Sequence, residues 1–192
     1  MKKLVLTVLA LAAFTFANAQ DGGFAKGDIF ISGAVGYSSE TTGDIKDNTF
    51  VLSPRAAYFV TDNIAAGLRI GYESISEEFP GGEFDETILT AGVFGRYYFT
   101  PGNKFSVFGE LGLNYLSQKE DNGATDLDTT GFGLGVGPGV SYFISDSFAL
   151  EAFWGAISYQ TTEPDVDNSE STDEFNFGVN LEDITLGLVY KF

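Results

Sequence analysis

Cysteine and histidine are both missing from this chain. The first absence rules out a disulfide framework, so stability has to come from secondary structure and packing. The second removes the commonest general base and metal ligand, which weakens hydrolytic and metal-centred readings from the outset. Basic residues are scarce, 10 against 27 acidic ones, for a formal net charge of −17. Such a surface repels a phosphate backbone, and nucleic acid is excluded as a partner. No catalytic, metal or cofactor motif is expected, and 192 residues suit one domain.

Long apolar runs occur in one place only. Lys2 and Lys3 precede an apolar stretch from Leu4 to Ala17, and Ala17-Asn18-Ala19 offers the small residues that a signal peptidase reads. The stretch is shorter than the ~20 residues a membrane-spanning helix needs. The reading is a signal peptide over residues 1–19 and a mature domain over residues 20–192. Loss of Lys2 and Lys3 leaves the mature chain two units more negative. No cysteine follows the cleavage site, so no lipid-anchored terminus is expected. Membrane insertion, if any, would have to use strands.

What is present is alternation, repeated eight times. Strands are predicted over Gly27 to Ser38, Thr49 to Val60, Ile64 to Ser76, Thr87 to Thr100, Lys104 to Gln118, Thr130 to Ile144 and Ser147 to Gln160. An eighth runs from about Asn176 to the terminal "LEDITLGLVYKF". All exceed the ~5–6 residues of a typical globular strand. Short turns, "TDN", "TPGN" and "SDS", alternate with long acidic segments: "SETTGDIKDN", "SEEFPGGEFDE", "QKEDNGATDLDTT" and "TTEPDVDNSESTDE". This is the pattern of an all-β, eight-stranded antiparallel up-and-down barrel, with short turns at one end and long loops at the other.

One face of every predicted strand is uniformly apolar. The other mixes glycine with Arg55, Arg69, Arg96, Glu73, Glu110, Glu151, Asp183 and Lys191. A soluble sandwich would point those charges outward. If the apolar face meets hydrocarbon, the charges form ion pairs in the lumen, because one of them on the lipid side near midplane would cost ~2–4 kcal/mol. Gly131, Gly133, Gly135, Gly137 and Gly139 all fall on the inner face, where a narrow barrel needs small residues beside large ones. Tyr58, Tyr97, Phe99, Tyr142 and Phe148 gather near the short turns, and Tyr37, Phe50, Tyr72, Tyr115 and Phe132 near the long loops, as two membrane interfaces would select. Pro54 and Pro138 lie inside predicted strands, where each removes a ladder donor; a bulge or local irregularity is expected at both.

With these features the sequence resembles the small eight-stranded outer-membrane barrels of the OmpA and OmpX type, over about Gly27 to Phe192. The resemblance implies the outer membrane of a Gram-negative cell, with its lipids and lipopolysaccharide as surroundings. It also implies that Thr185, Gly187, Tyr190 and Phe192 form the C-terminal signal read by the barrel assembly machinery. The chain ends at Phe192, so the peptidoglycan-binding domain of larger relatives is not expected.

The function expected on these grounds is non-enzymatic, a structural or surface-interaction role in envelope integrity or adhesion, with an unnamed ligand on the acidic loops as one possibility. Glu110 and Glu151 are candidates for an acid/base pair, but paired lumen ions are the simpler reading. Alternatives are a soluble lipocalin-like barrel for a small apolar ligand, or a narrow ion channel, since wide aqueous pores need ~16 or more strands. "DVDNSES" lacks the glycine and distal glutamate of a calcium loop, and no metal site is assigned there.

Overall fold

The computed structural model describes residues 22–123, 125–178 and 184–192; residues 1–19, expected as a signal peptide, and Asp183 lie outside them. Ten strand segments form one antiparallel sheet: β1 (Ile29–Thr42), β2 (Ile45–Phe59), β3 (Ile64–Phe79), β4 (Gly82–Tyr98), β5 (Phe105–Asp121), β6 (Asp126–Phe143), β7 (Phe148–Trp154), β8 (Ile157–Pro164), β9 (Thr172–Phe177) and β10 (Ile184–Lys191). Neighbours pair in sequence from β1 to β7, β7 pairs with β10, and β10 pairs with β1. That ring is a closed barrel of eight staves. The segments β8 and β9 continue the two last staves upward, β8 along β6 and β9 along β8.

Alternation dictates the wall, because a strand turns successive side chains to opposite faces. Leu68, Ile70 and Leu186 stand outward at 64%, 63% and 72% exposure, while Phe30, Phe59 and Phe143 point inward and are fully buried. A contiguous apolar belt of this extent is far beyond what a soluble monomer leaves in water. No helix among the described residues is long and apolar enough to cross a membrane, and the spanning elements are strands.

Two expectations need correction. The first three long segments, expected as loops, are mostly strand. Pairing of β1 with β2 continues through Glu40↔Asp47 to Thr42↔Ile45, and that of β3 with β4 to Phe79↔Gly82. Polar residues on both faces hide a strand from any hydropathy argument, yet a hairpin already in register extends by adding local pairs. The turns at the tips carry glycine with positive φ, +65° at Gly43 and +105° at Gly81, where only glycine is unstrained.

The seventh strand, expected to be continuous, is broken into β7 and β8; of the expected eighth, Thr172–Phe177 and Ile184–Lys191 are described, as β9 and β10. Gly139 pairs with Phe153 and Val136 with Ile157. Three residues, Trp154, Gly155 and Ala156, therefore pass two, Gly137 and Pro138. This is the bulge anticipated at Pro138, and it reverses the alternation: Glu151 and Phe153 face the lumen below it, whereas Tyr159 is exposed outward above it. Pro54 acts differently. Leu52↔Tyr72 and Arg55↔Arg69 keep one register, so the β2–β3 ladder simply lacks the two pairs between them. On the lipid side of that break lies a hollow of about 540 Å³ lined by Ile31, Pro54, Ala56, Leu68, Ile70 and Leu188.

Candidate functional site

The lumen is layered, and register sets each layer. At the end with short turns, residues that share the inner face of their staves bring Phe30, Phe59, Tyr98, Phe108 and Phe143 together. Phe24, from the segment before β1, enters this group from below. Its ring lies 4.7 Å from Phe59, 4.9 Å from Phe143, 5.2 Å from Tyr98 and 5.3 Å from Phe30. Its N–H donates to the Pro101 carbonyl at 2.7 Å. Gly22 and Gly23 have φ of +111° and +134°, and a side chain on Gly23 would strike the Gly102 backbone. The result is an aromatic floor.

Above the floor sits an ionic cluster. Arg96 and Glu110 face each other across β4 and β5 and are 1% and 2% exposed. Arg96 Nε donates to Glu110 Oε2 at 2.6 Å, and its two terminal nitrogens form a fork on Glu151 at 2.6 and 2.9 Å. Arg69 Nη2 is 3.3 Å from Glu110, and Arg55 Nη1 lies 3.4 Å from both oxygens of that carboxylate. Arg55 and Arg69 are direct cross-strand neighbours, a repulsive pairing unless an anion intervenes. Glu110 supplies it. The Phe94 ring lies 5.1, 5.5 and 5.9 Å from the guanidinium carbons of Arg96, Arg69 and Arg55, and its π-face favours the cations further. Gly112 leaves the space that the Arg69 guanidinium occupies.

Of the eight residues expected in a lumen network, the structure brings together Arg55, Arg69, Arg96, Glu110 and Glu151. Lys191 faces inward but at the floor, where its Nζ donates to the Gly23 carbonyl at 2.6 Å and lies 3.8 Å from Asp28. Glu73 stands higher and has no ion pair among the described residues. Period two fixes the face of a residue but not its height, and Glu73 is four positions beyond Arg69, ~13 Å along the stave. The aromatic floor was not anticipated as a unit. Its signal was available in the inward phase of Phe30, Phe59, Tyr98 and Phe143, except for Phe24, which precedes any periodic segment.

Over the cluster lies a cavity of about 210 Å³ whose lining includes Arg55, Arg69, Asn114 and Glu73. Higher still, beyond the last apolar outward residue of β4, Leu89, Glu86 faces Glu120 directly across β4 and β5. Burial first, and then the nearby carboxylates of Glu120 and Glu73, hold Glu86 above the ordinary value of 4.5. A raised acid favours the fold while protonated. That contribution is complete below 4.5 and is lost as pH rises through the higher folded value. Glu86→Gln should therefore raise the unfolding midpoint near neutral pH and match the parent below pH 4.5, as read by urea titration in detergent at both pH values. No group of metal-ligating side chains occurs among the described residues.

The C-terminal residues close the wall. In β10, Leu188 pairs with Gly33 of β1 and with Leu150 of β7, and the Phe192 N–H donates to the Ile29 carbonyl at 3.0 Å. Tyr190 lies between Phe148 and Phe192, with ring centroids at 5.0 and 4.9 Å.

Comparison with known proteins agrees with this geometry. The profile of the "Outer membrane protein beta-barrel domain" family matches residues 4–192. A "22 kDa outer membrane protein" of Rhizobium leguminosarum bv. viciae is 28% identical over 90 residues, a stretch covering 47% of this chain and 41% of that relative. The crystal structure of the outer membrane protein OprG from Pseudomonas aeruginosa superposes with a TM-score of 0.54 at 17% identity, covering 91% of this chain and 99% of that one. The solution structure of the E. coli Outer Membrane Protein W gives 0.51 at 18% identity, covering 88% and 99%.

Proposed function

Because the chain belongs to the outer membrane protein beta-barrel domain family, whose small barrels are generally non-enzymatic, we propose that it acts in the outer membrane as a sealed structural barrel that presents acidic hairpins at the cell surface. The observation that carries this reading is the filled lumen: an aromatic floor at 0–2% exposure beneath an arginine–glutamate cluster centred on buried Arg96 and Glu110. An eight-stranded barrel is about wide enough for its own side chains, which supports closure over passage. Glu110 and Glu151 are both held on Arg96, an arrangement that opposes acid/base use. A lipocalin-like role is disfavoured, since such a barrel needs an apolar lumen and a polar exterior, the reverse of this one.

The hairpin tips carry the surface role, in envelope integrity or adhesion, with lipopolysaccharide as the neighbouring lipid. Planar-bilayer recording of the intact protein should show no stable conductance steps; their appearance refutes the sealed barrel. Cells expressing a barrel with β1–β2 and β3–β4 trimmed to the membrane should keep detergent resistance and lose surface attachment. Attachment retained after trimming would assign the role to the barrel instead. Thr185, Gly187, Tyr190 and Phe192 serve as the signal for the assembly machinery, so removal of Phe192 should lower the folded, heat-modifiable fraction in the outer membrane without changing export.

A further inference from the structure

The cavity above the ionic cluster is bounded by unmatched groups of opposite sign. At its lower end, three guanidinium groups share two carboxylates, and Arg96 holds both at 2.6 Å. Arg55 and Arg69 are left with contacts of 3.3–3.4 Å to Glu110, longer than the ~2.7–2.9 Å of a good charge-assisted bond. Arg69 Nε is buried with no hydrogen-bond partner. At the upper end, Glu73 lines the same cavity without a cation. Asn114, also in the lining, has its Oδ1 buried and unpartnered. Spare donors therefore lie at the lower end, the Asn114 acceptor sits on the same rung as Arg55 and Arg69, and the carboxylate of Glu73 stands above, about a space of 210 Å³.

A simple anion would satisfy Arg55 and Arg69 but meet Glu73, and the acidic mouth formed by Glu86 and Glu120 would oppose its entry. A simple cation would have the reverse difficulty. A ligand carrying both charges satisfies both ends at once, and since unpaired buried polar groups are costly, each half adds to its retention. The volume falls below the ~300–1,000 Å³ of pockets for drug-sized ligands, which limits the ligand to a handful of heavy atoms. We propose that the cavity binds a small zwitterionic solute, with its carboxylate on Arg55 and Arg69 and its ammonium on Glu73 and Asn114.

The test uses ¹⁵N-labelled full barrel in detergent micelles, with glycine, acetate and methylammonium as probes. Glycine should shift the Ser53, Thr90 and Asn114 amides saturably, with each half-ligand at least about tenfold weaker. Glu73→Gln, which breaks no ion pair of the described fold, should weaken glycine about tenfold and leave acetate unchanged or improved. The proposal is overturned if acetate or methylammonium binds as tightly as glycine, if Glu73→Gln leaves glycine binding unaltered, if no probe saturates, or if the shifts are confined to the hairpin tips.

Discussion

Glu110→Gln should cost the barrel on the order of 3–5 kcal/mol, the range for removing one partner from a buried ion pair. Its side chain is the hub of the lumen, within 2.6 Å of Arg96, 3.3 Å of Arg69 and 3.4 Å of Arg55. A neutral amide there leaves buried Arg96 and the partly buried Arg55 and Arg69 facing the single charge of Glu151, and brings back the repulsion between cross-strand neighbours Arg55 and Arg69. Glu151→Gln removes contacts to Arg96 alone, and should destabilise less than Glu110→Gln. Arg96→Leu strips both carboxylates of their shortest bonds and leaves buried Glu151 with no cation among the described residues, so it should cost at least as much as Glu110→Gln. Urea unfolding followed by Trp154 fluorescence, with band-shift on heating as a second readout, gives the order. Equal midpoints for Glu110→Gln and Glu151→Gln would defeat the hub assignment.

Phe24→Ala has the other large expected effect. Burying a phenylalanine in a packed core and then deleting its ring costs about 3–5 kcal/mol in soluble proteins. Phe24 is 2% exposed and touches four rings of the floor. It is also the single floor residue contributed from outside the strands, so its truncation leaves the wall intact. Two readings should change together: the urea midpoint falls, and ion conductance appears across bilayers that the parent leaves silent. A variant that is destabilised but still silent would show that Phe24 supports the wall without sealing it.

How much of this was legible beforehand depends on what period two can encode. Alternation assigned Arg69, Glu110 and Glu151 to the inside and Leu68 and Leu188 to the outside, because that assignment needs only the parity of a residue within its strand. Which inward charges meet depends on the stagger between staves, set by pairing across the sheet, and so Lys191 sits at the floor beside Asp28 while Glu73 stands above the cluster. The heights of the hairpins were hidden for a related reason: residues such as Glu40 and Asp47 pair in register without giving either face an apolar signal. Proline gave a partial warning. Pro54 and Pro138 each lack the ladder donor, but one leaves the residue count on the two strands equal and the other does not, a difference decided by the neighbouring stave. Phe24 had no period at all to betray it.

The bulge opposite Pro138 has a further consequence for how this wall tolerates change. Gly155 has open space where a methyl group would go, so its chemical identity is of little account there. Its presence is another matter. The extra residue works as a half-step in phase: it decides that Tyr159, and with it Phe175 on the adjoining segment, look out into the surroundings while Gln160 looks in. Excising that one small unit would invert every side chain up to Pro164, exchanging greasy for polar along the upper stave. The position is indifferent to which amino acid fills it and intolerant of its deletion.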